Sequence, residues 1–280
     1  MLYQEYDPAI LKRLQKTECE ILFDFDSFCR EHDIDYFGCY GTAIGAIRHG
    51  GFVPWDDDID IGMTRENYDR FVELSHLLPD KYKFISRYNT DNFPMMTAWI
   101  ILKGTKFRVL KEPDIENGVY LDLYCFDHIY DDDRKMKKQM ISGWLWGKLL
   151  VLWYIKEPTI YFKGYKAKLI HACCNIAHHL LRLVCRDPQF LYDKAYKHAT
   201  ELKGVKTKRV AYMFDPTPFT SIIAMSDLEP TREYEFEGRK IKFPANADNY
   251  LRLRYGDYMM LPPEKDRHNH PPYELELPAE

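Results

Sequence analysis

Gly41-Thr42-Ala43-Ile44-Gly45-Ala46-Ile47-Arg48-His49-Gly50-Gly51-Phe52-Val53-Pro54-Trp55-Asp56-Asp57-Asp58-Ile59-Asp60-Ile61 sets a glycine-rich turn, a basic pair and four carboxylates close together. From Asp58 the aspartates alternate with Ile59 and Ile61. That period of two predicts a strand over 58–63, with isoleucines turned into a core and Asp58 and Asp60 on the opposite face, about 6.5 Å apart. Carboxylates this dense repel one another and cost desolvation if buried, so the pattern calls for a cation. The hard, oxygen-seeking ion that accompanies phosphates is Mg2+, or Mn2+ in its place. Two carboxylates on one face hold one such ion, or bracket two ions about 3.5–4 Å apart. Asp56 shares the alternation and is a further candidate ligand, while Asp57 points away and is expected to cap or pair. The alternative is an acidic loop in solvent, which an alternation with isoleucine disfavours.

Upstream, the Gly41-Thr42 turn precedes a short helix expected over 42–48. Glycine lets backbone amides approach a phosphate, and the helix points its positive end at the anion. Thr42 can cap the helix or donate its hydroxyl to the phosphate. Arg48 suits two-pronged phosphate contact, and His49 is either a phosphate donor, a base or a structural group. Downstream, the run Gly118–Phe126 puts Tyr120, Asp122 and Tyr124 on one face. An aspartate inside a strand needs a reason: Asp122 is expected to converge on the metal as a third carboxylate or to act as general base. For Asp122 the alternative is an edge-strand charge in solvent; Asp127 is the competing candidate, out of phase and beyond the run. The tail carries Arg267, His268 and His270, which either close over a substrate or form a solvated end.

Around these motifs, Asp7-Pro8 reads as a helix start, with a helix from 8 to about 31. A short strand ends at Gly38, Thr64 caps a helix that ends before Pro79, and strand-like runs follow at 83–86, 97–102 and 107–110. Residues from about 132 to 203 read as mostly helical. Glu237-Gly238-Arg239 signals a hairpin between 233–236 and 240–243, a last helix spans about 246–255, and the tail from Pro262 is expected to be irregular. The fold class is α+β, a mixed sheet flanked by helices. Residues 1–130 are expected to form the catalytic core, 131–205 a helical, aromatic-rich insertion or second lobe, and 206–280 a hairpin, helix and tail completing the core.

The 280 residues are 46% hydrophobic, enough for a sizeable core. With 39 Lys and Arg against 43 Asp and Glu, net −4, bulk electrostatics point away from nucleic acid. Seven cysteines without a CxxC pair indicate reduced thiols, with neither zinc spacing nor a disulfide framework. Met1–Asp7 has no basic and apolar leader, and Met140–Ile155 is too short to span a bilayer. A cytoplasmic protein is expected. The Trp144, Trp146, Trp153 and Tyr154 group reads either as core or as peripheral contact with the inner face of the membrane.

Gly41-Thr42-x-x-Gly45-Ala46-x-Arg48-His49-x-Gly51-Phe52-x-Pro54-Trp55-Asp56-Asp57-Asp58-x-Asp60 resembles the signature of the LicD family of phosphotransferases. Tyr250-Leu251, Tyr255-Gly256-Asp257-Tyr258 and Pro262-Pro263 resemble its C-terminal motif. The resemblance implies a nucleotidyltransferase-like fold with Mg2+ on an Asp-x-Asp pair and a third Asp, here Asp58, Asp60 and Asp122. It further implies transfer of a phospho-alcohol, most often phosphocholine from CDP-choline, to a sugar or lipid-linked glycan acceptor; fukutin-like enzymes that move ribitol phosphate are distant relatives. Two other functions fit the same residues: a nucleotidyltransferase that releases pyrophosphate from an NTP, and a non-catalytic binding protein or scaffold.

Overall fold

The computed structural model describes residues 6–109, 113–158, 164–264, 267 and 269–278. The chain opens with α1 (Pro8–Glu31), capped where the Asp7 carboxylate accepts from the amides of Ala9 and Ile10 at 2.8 and 3.2 Å. Its stripe of Leu14, Ile21, Leu22, Phe25 and Phe28 is buried. Then come β1 (Phe37–Gly38), α2 (Tyr40–His49), β2 (Asp60–Thr64), α3 (Arg65–Leu74), β3 (Tyr82–Ser86), β4 (Ala98–Leu102), β5 (Lys106–Arg108) and β6 (Tyr120–His128). A helical stretch of α4 (Asp133–Tyr154), α5 (Gly164–Val184) and α6 (Gln189–Ala199) follows. The chain ends with β7 (Arg209–Ala211), β8 (Ile222–Ala224), α7 (Met225–Leu228), β9 (Arg232–Phe236), β10 (Arg239–Phe243), α8 (Ala247–Tyr255) and β11 (Glu274–Glu276).

The main sheet runs β1-β2-β6-β4-β3, and β7 and β8 extend it from the far end of β6. Only β2 and β6 are parallel among its described pairs. The class is α+β with a mixed sheet. One face carries Ile61, Met63, Leu121 and Leu123, all fully buried, into the core shared with α1. Separate apolar clusters sit in the helical stretch, one around Met136, Met140 and Met213, another around Leu150, Tyr154, Leu191 and Tyr192.

Several expectations shift. The strand foreseen over 58–63 starts at Asp60, because the residues before it are held as a loop: the Asp56 amide donates to Val53 O at 2.9 Å, and Gln15 Nε2 donates to Asp56 O at 2.9 Å. Asp58 therefore precedes β2 instead of sharing a face with Asp60 by strand alternation. The helix expected from residue 42 starts at Tyr40, so Gly41 and Thr42 lie in its first turn. Thr64 occupies the N-cap position of α3, yet its side chain makes no capping bond; it accepts from Asn67 Nδ2 at 3.0 Å. The tail is not irregular throughout, since β11 pairs antiparallel with β5. The hairpin turns where expected, with left-handed backbone at Glu237 (φ 47°) and Gly238 (φ 78°). Residue 110, the end of the run expected at 107–110, and His268 lie outside the described residues.

The tryptophan group on α4 packs inward. Trp144 Nε1 donates to Asp215 O at 3.0 Å and Trp153 Nε1 to Cys185 O at 2.8 Å, while Trp146 meets Phe190 edge-on. No helix among the described residues is long and apolar enough to cross a membrane.

Candidate active site

The parallel register of β2 and β6 sets Asp60 directly beside Asp122, and β4 sets Trp99 on the other side of Asp122. Partners in register point to the same face, so three strands present one row: Asp60, Asp122, Trp99. Trp99 Nε1 donates to Asp122 Oδ1 at 2.7 Å, which fixes that carboxylate. The incoming loop places Asp58 and Asp56 near the row. Asp56 lies against the α carbon of Gly41, where a β carbon would come within 2.6 Å of its Oδ2. A side chain there would displace the Asp56 carboxylate from the place it now occupies.

Thr42 ties the helix to the strand. Its hydroxyl oxygen accepts from the Asp60 amide at 2.8 Å, in a buried setting, leaving the hydroxyl proton available to a ligand. The amides of Gly41 and Thr42 have no acceptor among the described residues, so the first turn of α2 offers free N–H donors beside the acidic row. Tyr40, just before them, adopts left-handed backbone (φ 49°), a costly conformation for a bulky residue. It is held there from several sides. Its amide donates to the Tyr250 hydroxyl at 3.3 Å, its hydroxyl meets Ser221 Oγ at 2.9 Å, and the Arg254 guanidinium lies 4.3 Å from its ring centre. Arg254 in turn is ion-paired to Asp215 at 2.8 Å.

Arg48 donates to Tyr258 O and, through Nε, to His49 Nε2 at 2.9 Å. The charge of Asp56 reaches Arg48, although burial still draws the guanidinium below its ordinary range. Burial, and then Arg48, lower His49, so its ring is neutral at pH 7. Arg48 brings positive charge to the cluster edge; His49 is a neutral accessory to it.

Other neighbours carry no motif. His270 returns from the tail, donating its backbone amide to both oxygens of Asp57 at 2.8 Å, with Nδ1 3.1 Å from Asp58 Oδ2. Asp57, fully buried, also accepts from the Tyr6 hydroxyl at 2.7 Å, matching its expected pairing role. Glu18 of α1 is buried, and its Oε2 has no hydrogen-bond partner. A glutamate in the apolar phase of α1, between Leu14 and Ile21, was the legible signal for it; of the two readings of the tail, closing over a substrate or a solvated end, His270 lies against the acidic cluster.

The electrostatics are those of a site short of positive charge. Burial, then the charges of Asp58 and its neighbours, push Asp56, Asp60 and Glu18 well above the carboxylate range. Burial and Asp58 push Asp122 up to about 7 against the hydrogen bond from Trp99. Asp58 is also pushed up by burial, but the charge and hydrogen bond of His270 outweigh this and leave it below its ordinary value. Burial pulls His270 down, yet Asp58 and Asp57 hold it well above the usual imidazole range.

This donor set suits a hard divalent cation: several aspartate carboxylates close together, buried or half-buried, whose charges raise one another, with the unpartnered Glu18 oxygen adding to the same repulsion. Among the described residues, the set of three ligand-type groups whose donor atoms lie within 4.8 Å of one another is Asp57, Asp58 and His270. Asp58, Asp60 and Asp122 lie close enough for their charges to act on one another, without closing to that distance as a trio.

Residues 33–152 match the family model described as LicD/FKTN/FKRP, nucleotidyltransferase domain. The chain is similar to a lipopolysaccharide cholinephosphotransferase LicD of Haemophilus influenzae, at 25% identity over 283 residues, covering 92% of this chain and 95% of that protein. Uncharacterized proteins of Rickettsia prowazekii and Rickettsia typhi are 35% and 34% identical over short segments, 21% and 20% of this chain and 21% and 18% of theirs. The family-model match takes in the acidic loop, β2 and Asp122, and ends within α4.

Proposed function

The chain belongs to the LicD family of transferases, and on that premise we propose that it moves a phospho-alcohol from a CDP-linked donor to a sugar hydroxyl of a cell-surface glycan, with Mg2+ or Mn2+ as cofactor. Phosphocholine from CDP-choline is the first donor to expect, because the similar Haemophilus protein is a lipopolysaccharide cholinephosphotransferase. The observation that carries the reading is one juxtaposition. The Asp60–Asp122 row, a seat for a cation, lies beside the free amides of the first turn of α2, a seat for a phosphate anion.

In this reading Asp58 and Asp60 would hold the cation, Asp122 would complete the set or serve as base, and Asp56 would be a further oxygen ligand. Such an ion supplies charge neutralisation for the diphosphate and its leaving group. The amides of Gly41 and Thr42 and the Thr42 hydroxyl receive the diphosphate oxygens. Arg48 offsets charge at the edge of the site. The acceptor hydroxyl attacks the phosphorus nearest the alcohol, the P–O bond to the CMP phosphate breaks, and CMP leaves. The attacking hydroxyl loses its proton to a base, the role Asp122 takes if it does not ligate the cation.

The test is a product assay by mass spectrometry. Purified protein with Mg2+ is given CDP-choline, CDP-ribitol, CDP-glycerol or CTP, each with a glycan extract. CMP together with a glycan carrying the phospho-alcohol is the expected outcome, abolished in Asp58→Asn and Asp60→Asn variants that remain folded. Pyrophosphate from CTP with the CDP-alcohols untouched overturns it in favour of nucleotidyl transfer.

A further inference from the structure

We propose that α5 is a membrane-surface helix whose apolar stripe seats on an anionic phospholipid bilayer. Along α5, Tyr165, Leu169, Ala172, Ile176, Leu180 and Leu183 recur at spacings of three and four residues, and Cys173 and Val184 flank them. At 100° per residue these positions fall in a stripe about 120° wide. The stripe faces outward: Tyr165 is 79% exposed, Ile176 62%, Leu183 76%. The opposite side is what anchors the helix, where buried His178 bonds Leu152 O of α4 through Nδ1 at 2.7 Å, and Leu181 and Cys185 pack beside Trp153. Water is a poor neighbour for so continuous an apolar face.

Charge identifies the occupant. From Pro158 to Arg186 the sequence holds no Asp or Glu, while it holds Lys163, Lys166, Lys168, Arg182 and Arg186, in a chain whose net charge is −4. Lys168, His179 and Arg182 border the stripe on one side and Lys166 on the other, all exposed; Arg182 lies 4.7 Å from the Trp153 ring centre. An apolar stripe with basic flanks is the pattern of helices lying at the headgroup boundary of acidic lipids. Covering the stripe with a second copy would bring two basic helices together. No described helix, α5 included, is long and apolar enough to cross the bilayer. Trp144 and Trp153 of α4, by contrast, spend their indole N–H groups inside the fold.

The proposal stands apart from the chemistry of the acidic site, and its test uses no substrate. The full chain is floated with vesicles of phosphatidylcholine alone or of phosphatidylcholine with phosphatidylglycerol, at low and high salt. Binding is expected to the mixed vesicles, weakened by salt, and absent or faint with phosphatidylcholine alone. The variant Leu169→Glu/Ile176→Glu/Leu180→Glu and the variant Lys166→Glu/Lys168→Glu are each expected to partition at least about tenfold more weakly. Both alter exposed positions, and unchanged melting curves confirm their folding. Failure of the parent to float with the mixed vesicles overturns the proposal. In that case light scattering on parent and triple variant assigns the stripe to a self-association face if the variant alone is a monomer, and to another partner if both are monomers.

Discussion

Asp122→Asn should make the metal-free protein more stable while stopping its chemistry. In the fold Asp122 is raised from 3.8 to about 7, by burial first and then by Asp58. Between those two pH values the folded chain keeps a proton that the unfolded chain has lost. Stability therefore falls as pH rises from about 4 to about 7, and the cost is complete above 7. Each pH unit is worth about 1.4 kcal/mol, so the whole interval amounts to at most about 4 kcal/mol, and relaxation and water leave about 2–4 kcal/mol. Asparagine removes the charge but keeps the Oδ1 that accepts from Trp99 Nε1, so no buried donor is orphaned. In chelator at pH 8 the variant should melt higher than the parent by on the order of 5 °C, and the gap should close near pH 4. Added Mg2+ should raise the parent by mass action and the variant less. Turnover of the variant should fall at least about a hundredfold. A variant less stable than the parent in chelator at pH 8, or a gap that ignores pH, would refute the reading of these carboxylates as mutually repelled.

Thr42→Val should leave the Asp60 amide buried without its acceptor, costing about 1–3 kcal/mol in urea unfolding and lowering turnover; Thr42→Ser should restore both, and an unaffected Val variant would deny Thr42 its tie to β2. Arg65 forms a two-pronged pair with Asp127 at 2.7 and 2.9 Å in the interior behind α3. Removing it in Arg65→Met should cost about 3–5 kcal/mol by denaturant titration, because a buried carboxylate loses its cation. The double variant Arg65→Met/Asp127→Leu should recover a large part of that loss.

What the sequence made legible was local. The Asp7-Pro8 cap, the apolar stripe of α1, the alternation at Ile59 and Ile61 and the hairpin at Glu237-Gly238 depend on neighbours a few residues away, and each element formed. The cation-seeking character of the acidic stretch was readable because like charges at short spacing repel wherever the chain puts them. The boundaries failed where distant contacts decide. Asp58 sits before β2 because Gln15, Val53 and the tail hold that loop in place. The strands β7, β8 and β11 are three residues each, too short for any period to show. Glu18 joins the acids across a separation that no motif spans, and His270, a candidate of the tail, does so by a path that local pattern does not fix. His270 stands where a positive charge is wanted: with Nδ1 3.1 Å from Asp58, its imidazole supplies part of the compensation the aspartates lack. The tail that carries it is pinned on both sides, by its amide on Asp57 and by β11 on β5. The same acids that would hold a cation thus also fix the path of the C-terminal segment, so loss of negative charge at Asp57 should loosen the tail as well as the site.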